Sequence, residues 1–380
     1  MRYLILLLLL ASMACSRETA DHFVLRGVVP GAPDSTQVTL AYNPLCLPMS
    51  TYLIDGKFEF QGKMDKPAFC LLRLNTRTCL NVGKDFKIRE MDFFVENGEL
   101  EFETPHLDSL AVAYRTRDIK KEKNYRLTGS ATQDVYYRYQ QQTLAQRDLV
   151  GALEEKCEKS QRPEDYNQWR KERDKLDQMT KDFIRSQSNL SVNLLIAKRL
   201  KRKPLTYDRA YLDELEQLFV SYRDTCPELR EFREYVQQAA AFVKDPELGD
   251  CEVFTQDGKS VQLQDLLNEG GYTLIDLWAS WCGSCRVGIP YLKGVYERYG
   301  DRVKFIGIAM GDSDKAWKAA LEKEQMPWEQ FVDHGDVSAM KRDKYNLTTI
   351  PQFLLVSPEG KVVYCASRSG DMESFLQTLF

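Results

Sequence analysis

Cys282 and Cys285, two cysteines separated by two residues, sit where an apolar run from Tyr272 to Trp278 gives way to a helical stretch from about Arg286 to Tyr299. A strand that feeds a helix through a cysteine pair narrows the folds this segment can take. The surrounding pattern agrees. Val253-Phe254-Thr255 and Ser260-Val261-Gln262-Leu263 flank Asp257-Gly258, a hairpin signal. Val303 to Met310 reads as a second apolar strand. Gln352 to Val356 and Val362 to Tyr364 read as a pair across Pro358-Glu359-Gly360, and a short helix follows Asp371. This alternation predicts an α/β domain over residues 246–380, with a central sheet and helices on its faces.

The spacing also dictates chemistry. Two cysteines in the first turn of a helix can close a small disulfide ring. The first sulfur then meets the unpaired N–H groups and positive end of the helix dipole, which favour a thiolate. Cys282 is therefore the expected nucleophile toward a substrate disulfide, and Cys285 the residue that resolves the mixed disulfide. The same spacing is half of a zinc site. The chain has three histidines, His22, His106 and His334, and no second Cys-x-x-Cys, so no metal is expected and no cofactor is implied.

A chain of 380 residues exceeds one ordinary core, so further domains are expected. Residues 22–115 read as β: Val24 to Val29, Val38 to Tyr42 and Phe69 to Leu74 are rich in strand formers. Asp55-Gly56 and Asn97-Gly98 each lie between two such runs, as hairpin turns would. Short strands at this spacing predict a small antiparallel sandwich or barrel. Residues 116–245 change to helical periodicity from about Asp134 to Val243, with Leu176, Met179 and Phe183 on one face and Leu212, Leu215 and Phe219 on another. Ser191 reads as the N-cap of a helix from Val192 to Leu200 that Pro204 ends. Glu154 to Lys175 carries both charge signs densely and predicts a solvated helical hairpin. The net charge of −4 with dispersed basic residues gives no footprint for nucleic acid.

Residues 1–14 have a short basic start at Arg2, an apolar run from Leu4 to Leu10 and small residues before Cys15, as a secretory signal does. Ser12-Met13-Ala14-Cys15 resembles a bacterial lipoprotein box, which makes Cys15 the lipidation site and residues 15–21 a tether. No later run approaches the roughly 20 apolar residues of a membrane span. Of ten cysteines, Cys15 and the Cys282/Cys285 pair have assigned roles. Seven remain, an odd number that cannot all pair within one chain, so most are expected as small buried apolar residues. Cys70 and Cys79 flank a polar turn and could bridge.

Asp276-Leu277-Trp278-Ala279-Ser280-Trp281-Cys282-Gly283-Ser284-Cys285-Arg286, followed by Pro290, resembles the active-site segment of thioredoxins. It is most similar to exported, membrane-tethered thiol–disulfide oxidoreductases related to cytochrome-maturation thioredoxins. Thr349-Ile350-Pro351 resembles the cis-proline segment of that fold, and Gly311 to Tyr345 the insertion that precedes it. The fold class implied is an α/β thioredoxin fold at the C-terminus, preceded by an all-β sandwich-like domain and a helical segment. The resemblance makes Asp276 a buried carboxylate that takes the Cys285 proton during resolution, and has Trp281 shield the dithiol. It assigns client contact to Trp281, Gly283, Ser284, Ile350 and Pro351, and has Pro290 kink the helix. Ser284 departs from the proline that many thioredoxins carry, and Gly288 stands where many tethered relatives have a glutamate.

These features predict a cell-envelope, periplasm-facing lipoprotein. It would exchange disulfides in exported proteins as a reductant or isomerase, recharged by an unidentified redox partner. Two other functions compete. A thiol peroxidase shares the fold but typically carries threonine three residues before the attacking cysteine, where this chain has Ala279. A binding module would use residues 22–245 to hold a client, with redox chemistry secondary.

Overall fold

Along one early strand Phe58 and Phe60 turn inward while Lys57, Glu59 and Gln61 face water, the period-two alternation of a half-buried sheet. The computed structural model describes residues 20–42, 47–76, 88–112, 124–202, 208–223, 226–244, 247–249, 251–343 and 347–380. The signal-like segment, Cys15, Cys46 and Cys79 lie outside the described residues. The chain divides into two compact units, 1–138 and 139–380.

In the first unit, β1 (Phe23–Val28), β4 (Lys57–Gly62), β7 (Gly98–Glu103) and β8 (Arg126–Thr128) form one sheet in the order β4-β1-β7-β8. Within it β1 and β7 run parallel. The second sheet holds β2 (Gln37–Ala41), β3 (Met49–Tyr52), β5 (Ala68–Asn75) and β6 (Ile88–Val95), all antiparallel, in the order β3-β2-β5-β6. Their inner faces share one core of Phe23, Leu25, Val38, Leu40, Phe60, Leu72, Leu74, Phe93 and Phe102. A sandwich is as expected, but the parallel β1–β7 pair departs from the all-antiparallel arrangement expected, and the turns are not all hairpins. Asp55 and Gly56 do turn the chain, at φ 49° and 69°, with paired Ile54–Lys57 hydrogen bonds of 3.0 and 3.1 Å. The ladder stops there, because the Leu53 backbone bonds to Ser35 and Thr36 instead, and β3 and β4 enter different sheets. Asn97 makes no hairpin turn. Its carboxamide brackets the Met64 backbone at 2.8 and 2.9 Å, and Gly98 N–H donates to His22 at 2.9 Å.

Two long helices, α1 (Ala131–Ser160) and α2 (Pro163–Ser186), form the expected helical hairpin. The first starts three residues earlier than its periodicity suggested. Ser130 Oγ accepts from Gln133 N–H, and the Glu96 carboxylate takes Thr132 N–H, so the first turn is capped from both sides. The next helix, α3 (Leu190–Ala197), is capped by Asn189 and not by Ser191: Asn189 Oδ1 accepts from Val192 N–H at 3.0 Å. Then follow α4 (Arg209–Gln217) and α5 (Pro227–Lys244).

The remaining elements are β9 (Glu252–Phe254), β10 (Ser260–Gln262), β11 (Tyr272–Trp278), α6 (Gly283–Tyr299), β12 (Val303–Met310), α7 (Asp314–Glu324), β13 (Glu329–Asp333), α8 (Asp336–Asp343), β14 (Gln352–Val356), β15 (Val362–Ala366) and α9 (Ser369–Leu379). They build a seven-stranded sheet in the order β10-β9-β13-β12-β11-β14-β15. The central β11, β12 and β13 are parallel, and β14 is antiparallel to β11. Strand order, parallel centre and the cysteine-bearing helix after β11 define a thioredoxin fold. The Gly311–Tyr345 insertion contributes β13, a full strand of this sheet. Two helices begin earlier than expected: α6 at Gly283, where the Cys282 side chain caps it, and α9 at Ser369, before Asp371. Along β11, Leu274 and Trp278 pack on the α6 side, while Ile275 and Leu277 pack on the other. Among the described residues no helix is long and apolar enough to cross a membrane.

Candidate active site

Strand β11 ends at Trp278 in the sheet centre, and the chain turns through Ala279–Trp281 into α6. The turn places Cys282 at the N-cap, outside the helix proper but facing its first N–H groups. Cys282 and Cys285 are joined, with S–S 2.04 Å and Cα–Cα 5.3 Å. Cys285 N–H donates to Cys282 Sγ at 3.2 Å, and Ser284 Oγ lies 3.4 Å from the same sulfur. A thiolate at Cys282 Sγ would meet a backbone donor already in place and the positive end of the helix, whereas a neutral thiol gains less from both. Beneath the pair lie Trp278, Ile289, Trp317 and Val332, with Ile350 packed against the cluster.

The sulfurs are less open than the sequence suggests. Cys282 and Cys285 are each 5 % exposed, whereas Trp281 is 65 % exposed. The reason is packing from below and the side: the first turn of α6 sinks into the cluster around Trp278, while the Trp281 indole stays at the surface, its Nε1–H donating to the Gly311 carbonyl at 3.3 Å. Gly283 and Ser284 are exposed beside it. The Ile350–Pro351 bond is cis. Pro290 lies within α6.

Asp276 is 3 % exposed, and by strand alternation it shares the α6 face with Leu274 and Trp278. Burial pushes its carboxyl up to about 7, because desolvation disfavours the charged form. A carboxyl poised near neutrality can both take and return a proton there. The structure thus brings Asp276, Trp281, Cys282, Gly283, Ser284, Cys285, Ile350 and Pro351 to one end of the sheet. Cys15 and Cys79 lie outside the described residues. Cys70 is a buried thiol pushed up to about 12 by desolvation, and Cys157, Cys251 and Cys365 are buried thiols too. Among the described residues, no cluster of His, Cys, Asp or Glu could hold a metal ion.

Two supports of the site have no sequence signal. Asp312 accepts from Ser280 N–H at 2.6 Å and from Ser280 Oγ at 2.5 Å, which fixes the turn ahead of Trp281. Arg286, in the first turn of α6, donates to Glu324 of α7 at 2.6 and 2.7 Å. Both partners come from the insertion, some 32 and 38 residues away in sequence. Local pattern cannot show a pairing at that separation.

A thioredoxin fold whose central strand delivers a disulfide-linked cysteine pair to a helix N-terminus, with a buried acid on the same face, defines a thioredoxin-like domain. Residues 236–365 match the AhpC/TSA family, and residues 23–136 match a domain of unknown function, DUF4369. The chain is similar to the thiol-disulfide oxidoreductase ResA of Bacillus subtilis, 26 % identical over 108 residues, covering 28 % of this chain and 58 % of that protein. A ResA of Bacillus anthracis is also 26 % identical, with 60 % of it covered, so the chain spans less than two thirds of these relatives. Among solved structures it is similar to the thioredoxin domain of a thiol-disulfide oxidoreductase from Bacteroides vulgatus: 28 % identity, 35 % of this chain, 94 % of that one, TM-score 0.32. It is likewise similar to a thiol:disulfide interchange protein from Bacteroides sp., at 27 % identity, 35 % and 88 % coverage and TM-score 0.32.

Proposed function

We propose that this chain exchanges disulfides with exported proteins through Cys282 and Cys285, as a reductant or isomerase held at a membrane by a lipid on Cys15. The observation that carries the chemistry is the Cys282–Cys285 disulfide at the N-cap of α6, with Cys285 N–H 3.2 Å from Cys282 Sγ. In the reduced enzyme the Cys282 thiolate attacks one sulfur of the client disulfide. The client S–S bond breaks, a mixed disulfide forms, and the client's other sulfur leaves as a thiolate. Asp276, as carboxylate, takes the Cys285 proton. The Cys285 thiolate then attacks Cys282 Sγ, and the second client thiolate leaves. Two electrons pass to the client, the enzyme keeps the disulfide, and an external dithiol must reduce it again. Release of the client after the first step, with its own thiol re-attacking, would be isomerisation.

Client contact falls to the exposed Trp281, Gly283 and Ser284, beside Ile350 and Pro351. Anchoring rests on the lipoprotein-like Ser12-Met13-Ala14-Cys15. Peroxide activation is disfavoured by Ala279, which is fully buried and offers no hydroxyl beside Cys282. The test is insulin reduction and scrambled-ribonuclease refolding by the full chain. Cys282→Ser should lose turnover by about a thousand-fold or more, and Cys285→Ser should accumulate a client-linked species that dithiothreitol releases. Full turnover by Cys282→Ser would overturn the assignment.

A further inference from the structure

Ser284 is the second residue of α6, and its hydroxyl reaches back to the cap: Ser284 Oγ lies 3.4 Å from Cys282 Sγ. A sulfur engaged in a disulfide carries no hydrogen, so the hydroxyl is the donor of this pair. The same sulfur receives Cys285 N–H at 3.2 Å. Arg286 N–H donates to the Cys282 carbonyl at 3.2 Å, which closes the first turn and fixes where Ser284 stands. Cys282 Sγ therefore faces two donors, one from the backbone and one from a side chain.

We propose that Ser284 is a catalytic residue: its hydroxyl donates to Cys282 Sγ and stabilises the thiolate both when that sulfur attacks and when it leaves. The inference rests on the dithiol–disulfide exchange proposed above and adds a group that touches the reacting atom. A hydrogen bond to an ionised partner is roughly twice as strong as one between neutral groups, so the same contact favours thiolate over thiol. In the reduced enzyme the hydroxyl holds the Cys282 thiolate that attacks the client disulfide. On recharging, one thiolate of the external dithiol attacks Cys282 Sγ and Cys285 leaves with the first electron pair. The second external thiolate then attacks the first external sulfur, the external disulfide forms, and Cys282 departs as a thiolate. The hydroxyl receives that departing charge. A proline at position 284 would offer no such donor.

The other ionisable groups around this sulfur are accounted for among the described residues. On α6, Cys285 is its disulfide partner, and Arg286 is held by Glu324 of α7 at 2.6 and 2.7 Å. Strand β11 contributes Asp276 on the α6 face, and Asp312 accepts from Ser280 N–H and Oγ. At the end of β13, Asp333 accepts from three N–H groups and the Ser338 hydroxyl at the start of α8, and His334 lies 3.8 Å from Asp314. Ala309 of β12, Trp317 of α7 and Ile350 bring no charge. A substitution at Ser284 alters none of these groups.

The experiment follows iodoacetamide labelling of the Cys282 peptide against pH, by mass spectrometry, in the reduced full chain and in Ser284→Ala and Ser284→Thr. Ser284 is exposed, so water competes for its hydroxyl and the effect is modest. Ser284→Ala deletes the donor at a position where alanine suits the helix, and the midpoint should rise by about 0.5–1 pH unit. Ser284→Thr keeps a hydroxyl, and its midpoint should stay with the parent. A midpoint that stays or falls in Ser284→Ala overturns the proposal. Equal rises in both variants do the same, because they trace to the packing of the turn and not to the hydroxyl. Iodoacetamide labelling needs no client, so client contact by Ser284 does not enter the readout. Full client turnover by Cys282→Ser would sink the exchange reading and leave this comparison of midpoints standing, so the two failures are distinguishable.

Discussion

Two carboxylates are buried to a similar depth in the C-terminal unit, one in its helical layer and one in its sheet, and they are treated in opposite ways. Asp177 of α2 is 5 % exposed and fully compensated: Arg202 donates to it at 2.6 Å and the Tyr211 hydroxyl at 3.0 Å. Asp276 of β11 is 3 % exposed, and burial dominates its behaviour, with no cation beside it. A paired buried charge fixes geometry and is costly to break. An uncompensated one titrates in the working range, which is what taking a proton from a neighbouring thiol requires. The contrast separates scaffold from chemistry within one compact unit.

The largest consequence concerns Asp276 and pH. Its folded value, about 7, lies above the ordinary 3.8, so the folded state holds the proton more tightly than the unfolded chain. Stability from this group is full below pH 4, falls as pH rises and the unfolded chain ionises first, and levels off above about 7. The loss amounts to about 4 kcal/mol at most. Urea titrations should show Asp276→Asn flattening that decline and exceeding the parent in stability at pH 8, while its turnover falls about 100-fold. A parent whose stability is flat between pH 4 and 7 would break the comparison.

Arg202→Met tests the opposite member. It leaves Asp177 buried without its cation, and should cost about 3 kcal/mol by urea denaturation with turnover per folded molecule unchanged. The smallest effect is expected at the support of the turn. Asp312→Ala removes both bonds to Ser280 and should cost about 1–2 kcal/mol, with a several-fold loss in turnover, whereas Ser280→Ala, which keeps the backbone bond to Asp312, should lose less of each.

The sequence exposed the chemistry better than the architecture around it. The position of Cys282 and Cys285 at the start of a helix and the burial of Asp276 were legible because strand, turn and helix follow each other within fourteen residues; the role of Asp276 came from resemblance alone. The strands Tyr272–Trp278 and Val303–Met310 were legible to the residue because apolar runs bounded by turn formers have few alternatives. Asn97-Gly98 misled because the same dipeptide that closes hairpins can spend its carboxamide on a distant backbone, here Met64. Asn189 outcompeted Ser191 as a cap because capping depends on where the chain enters the helix, which neighbouring contacts decide. Glu324 and Asp312 were invisible: their partners lie 38 and 32 residues away, and only the folded chain brings them together.

The most direct test reads the ionisation of Cys282 in the reduced full chain, by following the rate of iodoacetamide labelling of its peptide against pH by mass spectrometry. Ionisation by the α6 N-terminus predicts a midpoint at least one unit below the ~8.5 of an ordinary thiol, with Cys285 labelled far more slowly. A Cys282 midpoint at or above 8.5, or faster labelling of Cys285, would contradict the account.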